Sequence, residues 1–575
     1  MSAPLDEQTP ATPDPAAGRA GRGSGEQERA REQASLARSS ALMASGTLVS
    51  RVLGFVRVAL LAVAVGGTSA GVGGQVFDVA NKAPNNFYIL VAGGVLNAVL
   101  VPQIVKAFRM PDGGREFVDR LVTLALLLMG AATVVITLAA PLVVRLYSEG
   151  WDDDWLVLGT AMAFWCLPQV FFYGLYTVLG QVLNARGSFG PYMWAPVVNN
   201  VVAIAGVAVF IGLFPDGELL EADAWTPAMV ALLAGTATAG VALQALVLLW
   251  PLHRAGFRYR PRFGFRGIGL RSAGRVAGWT FAGVLVGQLA FVPTSKVMTS
   301  AGHALNEAGV VGASGNSYSY AYLLFMLPHS LVAVSLVTAL FTRLSRSAVG
   351  GDVAAVRRDF SSGARTVAVA GALATCAFVA LGPALAGAMF PSGHPIGQVL
   401  VAMALGLVPF STTYLVQRVF YAYEDARTPF LVQVVVAVVV TVGNVVIWLA
   451  VDPRWQVVAI GAAMSAANVV GCVLGLALLR RRLRALDGRG IDGHRLLRTL
   501  VRLLVISAIT TAVGLLAARG GRLLGEGRPV DVAVLVGGGL LVLAVFVLLC
   551  RLMRVRELEE LAAPLLRRLP LPGRR

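Results

Sequence analysis

Ser50–Val65, SRVLGFVRVALLAVAV, places Arg51 and Arg57 inside a run that otherwise reads as lipid-soluble helix. An arginine at the centre of a bilayer costs roughly 2.5–3.5 kcal/mol on insertion scales, so such charges face a bundle interior or a wet cavity and mark a substrate or ion path. At 3.6 residues per turn the two lie about 9 Å apart along the axis and about 120° apart around it, and they do not share one narrow face. Ser50, Gly54 and Arg57 do share one, and the small residues permit close helix packing beside the charge. Arg57 is too deep to snorkel easily, which favours function. For Arg51, nearer the start of the span, snorkelling toward headgroups is as good a reading as function.

This run is the first of fourteen. Apolar stretches of about 20 or more residues are centred on 41–65, 76–105, 121–146, 156–183, 191–214, 226–252, 274–300, 316–343, 365–390, 396–423, 429–451, 455–480, 497–518 and 530–552. The 575 residues are 56% hydrophobic and 14% charged, against about 25% charged in soluble domains. The expected fold class is an all-α polytopic membrane protein of about 14 transmembrane helices. Residues 1–38, rich in Pro, Ala, Gly, Glu and Arg, read as a disordered cytoplasmic tail. They lack the basic start and apolar core of a cleavable signal peptide, so the first apolar helix is expected to be retained.

The formal charge of +17 follows from topology. The connections around residues 106–120, 253–275, 342–365 and 480–498 are basic, whereas SEGWDDDW and FPDGELLEADAW are acidic. Fourteen spans put the basic loops on one side, with both termini cytoplasmic. RGGRLLGEGRP breaks the bias and makes the last hairpin the least secure part of that topology. The loop from His253 to Arg275 interleaves arginines with Phe257, Tyr259, Phe263 and Phe265. Contact with anionic headgroups and the interface is favoured over nucleic acid, and a connector between halves fits equally well. No nucleic-acid partner is expected.

Span two carries Asp78 and Lys82, spaced to pair at i and i+4, together with Pro84, Gly93, Gly94 and Pro102. Backbone breaks at membrane depth are tolerated beside protein or water, which makes this helix a candidate gate. Pro84 and Pro328, and Pro191 and Pro429, recur at a spacing of roughly 240 residues, consistent with two parallel six-helix bundles and a substrate site between them. The expected organisation is a tail over 1–38, an N-terminal bundle over 39–252, a basic cytoplasmic connector over 253–273, a C-terminal bundle over 274–484, and a transmembrane hairpin with a short basic tail over 485–575. Lys296 and Arg418 read as interface anchors, and Asn199 and Asn200 as interhelical hydrogen-bonding groups. The three lysines, Lys82, Lys106 and Lys296, stand in no nucleotide-binding loop. The four cysteines all fall in apolar runs and outline neither a disulfide framework nor a metal cluster. No enzyme, cofactor or metal site is expected.

SRVLGFVR, then NKAPNNFYILVAGGVLNAVLVP, LNARGSFGPYMWAPVVNN and YAYEDARTPF, in this order and spacing, resemble the MurJ/MviN family of lipid II flippases, within the multidrug/oligosaccharidyl-lipid/polysaccharide exporter superfamily. The resemblance covers spans one to twelve. It implies movement of the undecaprenyl-pyrophosphate-linked disaccharide-pentapeptide from the inner to the outer leaflet of the bacterial cytoplasmic membrane by alternating access. It assigns substrate binding to Arg51, Arg57, Lys82 and Asn85, while the candidate gating or helix-break positions, Pro84, Gly93, Gly94 and Pro328, rest on the residues themselves. A pyrophosphate needs cationic partners, and arginine supplies planar, bidentate ones. The chain departs from the family at Val58, where an acid is expected, and at Tyr88, Ile89 and Leu323, where arginines are expected.

With no nucleotide site, transport is expected to be driven by membrane potential or a coupled cation. Expected partners are lipid II, membrane lipids and cell-wall synthesis proteins. Two alternatives stay open: an exporter of another polyprenyl-linked glycan or amphiphile, and a non-transporting membrane scaffold for cell-wall synthesis.

Overall fold

The computed structural model describes residues 45–91, 115–264, 274–523 and 525–559. The expected tail over 1–38, Gly93, Gly94 and Pro102, and part of the 253–273 connector lie outside the described residues. No strand occurs among the described residues. The N-terminal half comprises α1 (Ser45–Val65), α2 (Val72–Val91), α3 (Arg115–Leu138) with its short continuation α4 (Ala140–Tyr147), α5 (Asp153–Ala185), α6 (Gly190–Leu213) and α7 (Pro227–Arg254). The C-terminal half comprises α8 (Gly274–Glu307), α9 (Gly315–Val349), α10 (Val353–Met389), α11 (His394–Ala404), α12 (Leu407–Ala422), α13 (Arg427–Ala450) and α14 (Pro453–Asp487), followed by α15 (Gly493–Arg522) and α16 (Arg528–Leu552).

Twelve of these helices are long and apolar enough to cross a membrane, and thirteen spans result when α11 and α12, bent by 50°, count as one. The described part of every expected apolar run is almost wholly helical, with 121–146 divided between α3 and α4 and 396–423 between α11 and α12. The shortfall from fourteen is the run at 76–105, of which α2 is the described part.

The helices outrun their apolar stretches. The basic segment after span eight was expected as a loop, but it is almost wholly helical, turning only around Gly350–Asp352. Asp352 caps α10 by accepting from the Ala355 amide at 2.8 Å, and Val356 and Phe360 bury one face of its polar start. α14 likewise runs on to Asp487, where Gly488 takes the left-handed conformation (φ 76°) that closes a helix. The basic segment after α7 also turns inward. Phe257 is buried, the Tyr259 hydroxyl lies 2.9 Å from that of Thr123, and Arg262 pairs with Glu116 at 3.0 Å. These groups meet α3, while the Phe263 ring is exposed.

The two halves repeat one plan. Asn200 on α6 donates to the Ser50 carbonyl on α1 at 2.8 Å, and Asn444 on α13 donates to Thr294 Oγ1 on α8 at 2.7 Å. Each bond spans 150 residues of sequence and joins the first and fifth spans of its half. The Asn200 side chain therefore does what an interhelical asparagine was expected to do. Close approach elsewhere depends on glycine: a Cβ on Gly206 would lie 2.3 Å from Thr236 Oγ1, between α6 and α7. α15 and α16 pack on each other and on α10, around Ile506, Val542 and Phe546.

At the end of the molecule bearing the acidic loops, the halves are stitched together. The segment after α1, GGTSAGVGG, meets the segment after α8, VVGASGNSYS. Ser69 N–H donates to the Gly312 carbonyl at 3.0 Å, and the Ser69 hydroxyl accepts from the Gly312 amide at 2.8 Å. Asn316 donates to the Gly66 carbonyl at 3.0 Å and Ser317 to the Gly67 carbonyl at 2.7 Å. Beside them, Ser295 donates to the Tyr147 carbonyl and Lys296 pairs with Glu149, both at 2.7 Å. Lys296 therefore joins the halves, beyond the anchoring role its position suggested.

Candidate functional site

Beneath this seal a cavity of about 530 Å³ lies between the halves, walled by α2 on one side and by α8, α9, α12, α13 and α14 on the other. Among the described residues its lining contains one charged side chain, Lys82, together with Asn85, Asn86, Gln288, Gln433 and Asn468. Lys82 and Asp78, one turn apart on α2, form the ion pair their spacing predicts, at 2.7 Å. Ser319 on α9 donates to the other Asp78 oxygen at 2.8 Å, so the carboxylate joins the halves as well as holding Lys82. The Lys82 side chain remains 30% exposed against 14% for Asp78: the cation faces the cavity and the acid backs it. Asn85 is exposed on the same wall.

The arginines of α1 lie elsewhere. Arg57 lines a separate cavity of about 50 Å³ inside the N-terminal half, beside Asn81, Gln169 and Tyr173. Gln169 ties that wall together, donating to Asn81 at 3.0 Å and to Thr238 at 3.1 Å. No carboxylate lines it among the described residues. Arg51 donates to Ser330 on α9 at 2.8 Å, so it neither snorkels alone nor lines the central cavity. Of the four proposed substrate-binding residues, the structure brings Lys82 and Asn85 together and sets both arginines apart from them.

The Ser330 contact falls where α9 changes its winding. Pro328 lacks an amide proton, and the five residues His329–Ala333 that follow it form a π-turn. His329 is buried there, with Nδ1 2.9 Å from the Ser411 hydroxyl and its ring 4.6 Å from that of Phe410. Pro84, by contrast, sits inside an unbroken α2. Tyr88 turns into the N-terminal half, its hydroxyl 2.5 Å from Thr177, whereas Ile89 lines the central cavity. Arg418 is held by aromatic groups, bonding the Tyr414 hydroxyl at 2.8 Å with the Phe341 ring at 5.7 Å.

The sequence reading missed three things: Ser319 and Ser330 as partners reaching across to the other half, the glutamines of α8 and α13, and the paired glycine- and serine-rich segments of the seal. Only the last carried a signal, the density of Gly and Ser after spans one and seven.

Residues 67–520 match the family model described as Lipid II flippase MurJ. A Haemophilus influenzae protein named "Probable lipid II flippase MurJ" is 26% identical over 445 residues, covering 73% of this chain and 82% of that protein. A Burkholderia cenocepacia protein named "Lipid II flippase MurJ" is 28% identical over 417 residues, covering 70% and 76%. Among solved structures, one described as "Lipid II flippase MurJ, inward closed conformation" superposes with TM-score 0.67 at 16% identity, covering 89% of this chain and 99% of that one. An inward-facing multidrug resistance MATE family transporter of the MOP superfamily superposes with TM-score 0.60, also at 16% identity, covering 76% and 96%. At these identities the structural likeness concerns the fold.

Proposed function

The chain belongs to the MurJ family, and on that premise we propose that it flips lipid II from the inner to the outer leaflet of the bacterial cytoplasmic membrane by alternating access of its two halves. The observation that carries this reading is the cavity between the halves, closed at the acidic end and holding Lys82 in a largely apolar wall. A pyrophosphate entering it meets an ammonium already neutralised by Asp78. Binding is then an exchange in which the substrate anion competes with Asp78 for Lys82. Asp78 is also bonded to Ser319, so that exchange loosens a contact between the halves at the edge of the seal.

Arg51 and Arg57 belong to this mechanism at other stages. Arg51 holds α1 to the π-turn of α9 while the acidic end is sealed, and it becomes available as the halves part. Arg57 presents a permanent charge to an anion once its side of α1 is exposed. We place the basic end and both termini in the cytoplasm, on the loop-charge bias. The membrane potential or a coupled cation drives the cycle; one charge crossing the full potential is worth about 2.3 kcal/mol per 100 mV. The segments 39–252 and 274–484 are assigned as the moving bundles, with Pro328 as a hinge.

Depleting the protein in a strain without a redundant flippase, then measuring lipid II accessible at the outer surface, tests the function. The expected result is loss of outer-leaflet lipid II with accumulation inside. An unchanged outer level contradicts the proposal and leaves a scaffold role.

A further inference from the structure

A second cavity, of about 340 Å³, opens between α8 and α13 and shares the wall residues Ile89, Gly287, Gln288 and Gln433 with the central one. Its volume falls in the range of small-molecule sites, about 300–1,000 Å³. Beyond those shared residues its lining lacks the charge that Lys82 gives the central wall. It contains no carboxylate, ammonium or guanidinium among the described residues, and instead has three glutamines, Gln288, Gln417 and Gln433, and three aromatic rings, Trp279, Tyr421 and Phe430. None of the three amides has a hydrogen-bond partner among the described residues. Trp279 and Phe430 meet at 5.0 Å between centroids, and Arg427 stands 6.0 Å from the Trp279 ring.

Glycine keeps this space open. Gly283 and Gly287 are one turn apart on α8; a Cβ at Gly283 would meet nothing within 4 Å, and one at Gly287 only Gln433 Nε2 at 3.6 Å. Leu or Val at these positions would fill the site.

Three amides without partners in a wall built from apolar helices each carry a desolvation penalty unless water or a ligand satisfies them. An acyl chain would leave all three unsatisfied. A phosphate or a peptide carboxylate would find no cation in the lining among the described residues: the nearby guanidiniums of Arg427 and Arg418 lie over the Trp279 and Tyr421 rings, at 6.0 and 5.9 Å, and do not line the cavity. A pyranose ring suits both components: its hydroxyls donate to and accept from amides, and its C–H face rests on an aromatic ring. We propose that this cavity is a neutral glycan subsite, which takes a sugar of the lipid-linked substrate while Lys82 meets its pyrophosphate. The inference rests on the flippase reading and adds to it a division of labour: charge recognition on α2, sugar recognition on α8, α12 and α13.

The test uses the full-length protein in nanodiscs and three probes: undecaprenyl pyrophosphate, its disaccharide-linked form without peptide, and complete lipid II. The expected result is that Trp279→Ala and Gln417→Leu, both at residues that line this cavity and not the central one, each weaken binding of both sugar-bearing lipids about tenfold, the equivalent of about 1.4 kcal/mol. Binding of undecaprenyl pyrophosphate stays unchanged, which also shows that the variants are folded. Trp279→Phe retains most of the affinity. A loss confined to complete lipid II would make this a peptide subsite and overturn the assignment, as would equal loss for all three probes. If the unaltered protein binds none of the three, the flippase reading itself fails.

Discussion

Lys82 and Asp78 carry the most chemistry per residue. Their pairing was legible in the sequence because i and i+4 on a helix fixes a contact without knowledge of the rest of the fold. That the pair also holds Ser319 was not legible, since nothing local links residue 78 to residue 319. The same limit applies to the arginines. Their spacing excludes one shared face, but which neighbour each face meets depends on the packing of α5, α7 and α9, so the separate surroundings of Arg51 and Arg57 emerge only in three dimensions. Lys82→Ala removes the one cation of the central wall among the described residues. It is expected to weaken binding of undecaprenyl pyrophosphate by about ten- to a hundredfold, the worth of a charge-assisted hydrogen bond of ~1.5–3 kcal/mol. Asp78→Asn acts in the opposite direction: it frees Lys82 from its competitor, so binding tightens while turnover slows. Equilibrium binding and flipping rates measured on the same preparations check both signs. Weaker binding by Asp78→Asn would show that the acid orients Lys82 and does not compete for it.

The helices of the two halves were largely readable from apolar runs of bilayer length, and their ends were not. α10 and α14 extend well past their apolar stretches because amphipathic packing, Asp352 and Gly488 set their limits, and hydropathy does not report these features. The repeated prolines pointed to two related halves, and the matched Asn200 and Asn444 bonds give that repeat a physical content. The seal uses glycine where a side chain has no room. A Cβ on Gly74 would lie 2.3 Å from the Gly66 carbonyl oxygen and 2.7 Å from that of Val65. Gly74→Ala is therefore expected to lower the thermal midpoint and to open the acidic end, so that a polar thiol reagent applied from that side reaches a cysteine placed at Asn85 faster than in otherwise unaltered protein. An unchanged midpoint and labelling rate would show that the segment relaxes without cost to the seal.

At the scale of the molecule, the central cavity lies between two halves joined by many hydrogen bonds at the acidic end, and by Arg51–Ser330 deeper in. A transporter that alternates must break the first set in every cycle. Glu149 and Lys296 offer the means to prevent that: they pair across the seal at 2.7 Å, and both are exposed. Cys166, Cys376 and Cys550 are buried and Cys472 is half-buried, so once Cys472 is replaced by Ser, reactive thiols introduced at the surface can be addressed selectively. The decisive measurement is the lipid II flipping rate of the Glu149→Cys/Lys296→Cys protein in proteoliposomes, before and after joining the two thiols with a short reversible cross-linker. The account predicts that cross-linking stops flipping while lipid II binding persists, and that cleaving the linker restores the rate. Flipping that continues undiminished with the halves joined at the acidic end would contradict alternating access through this cavity.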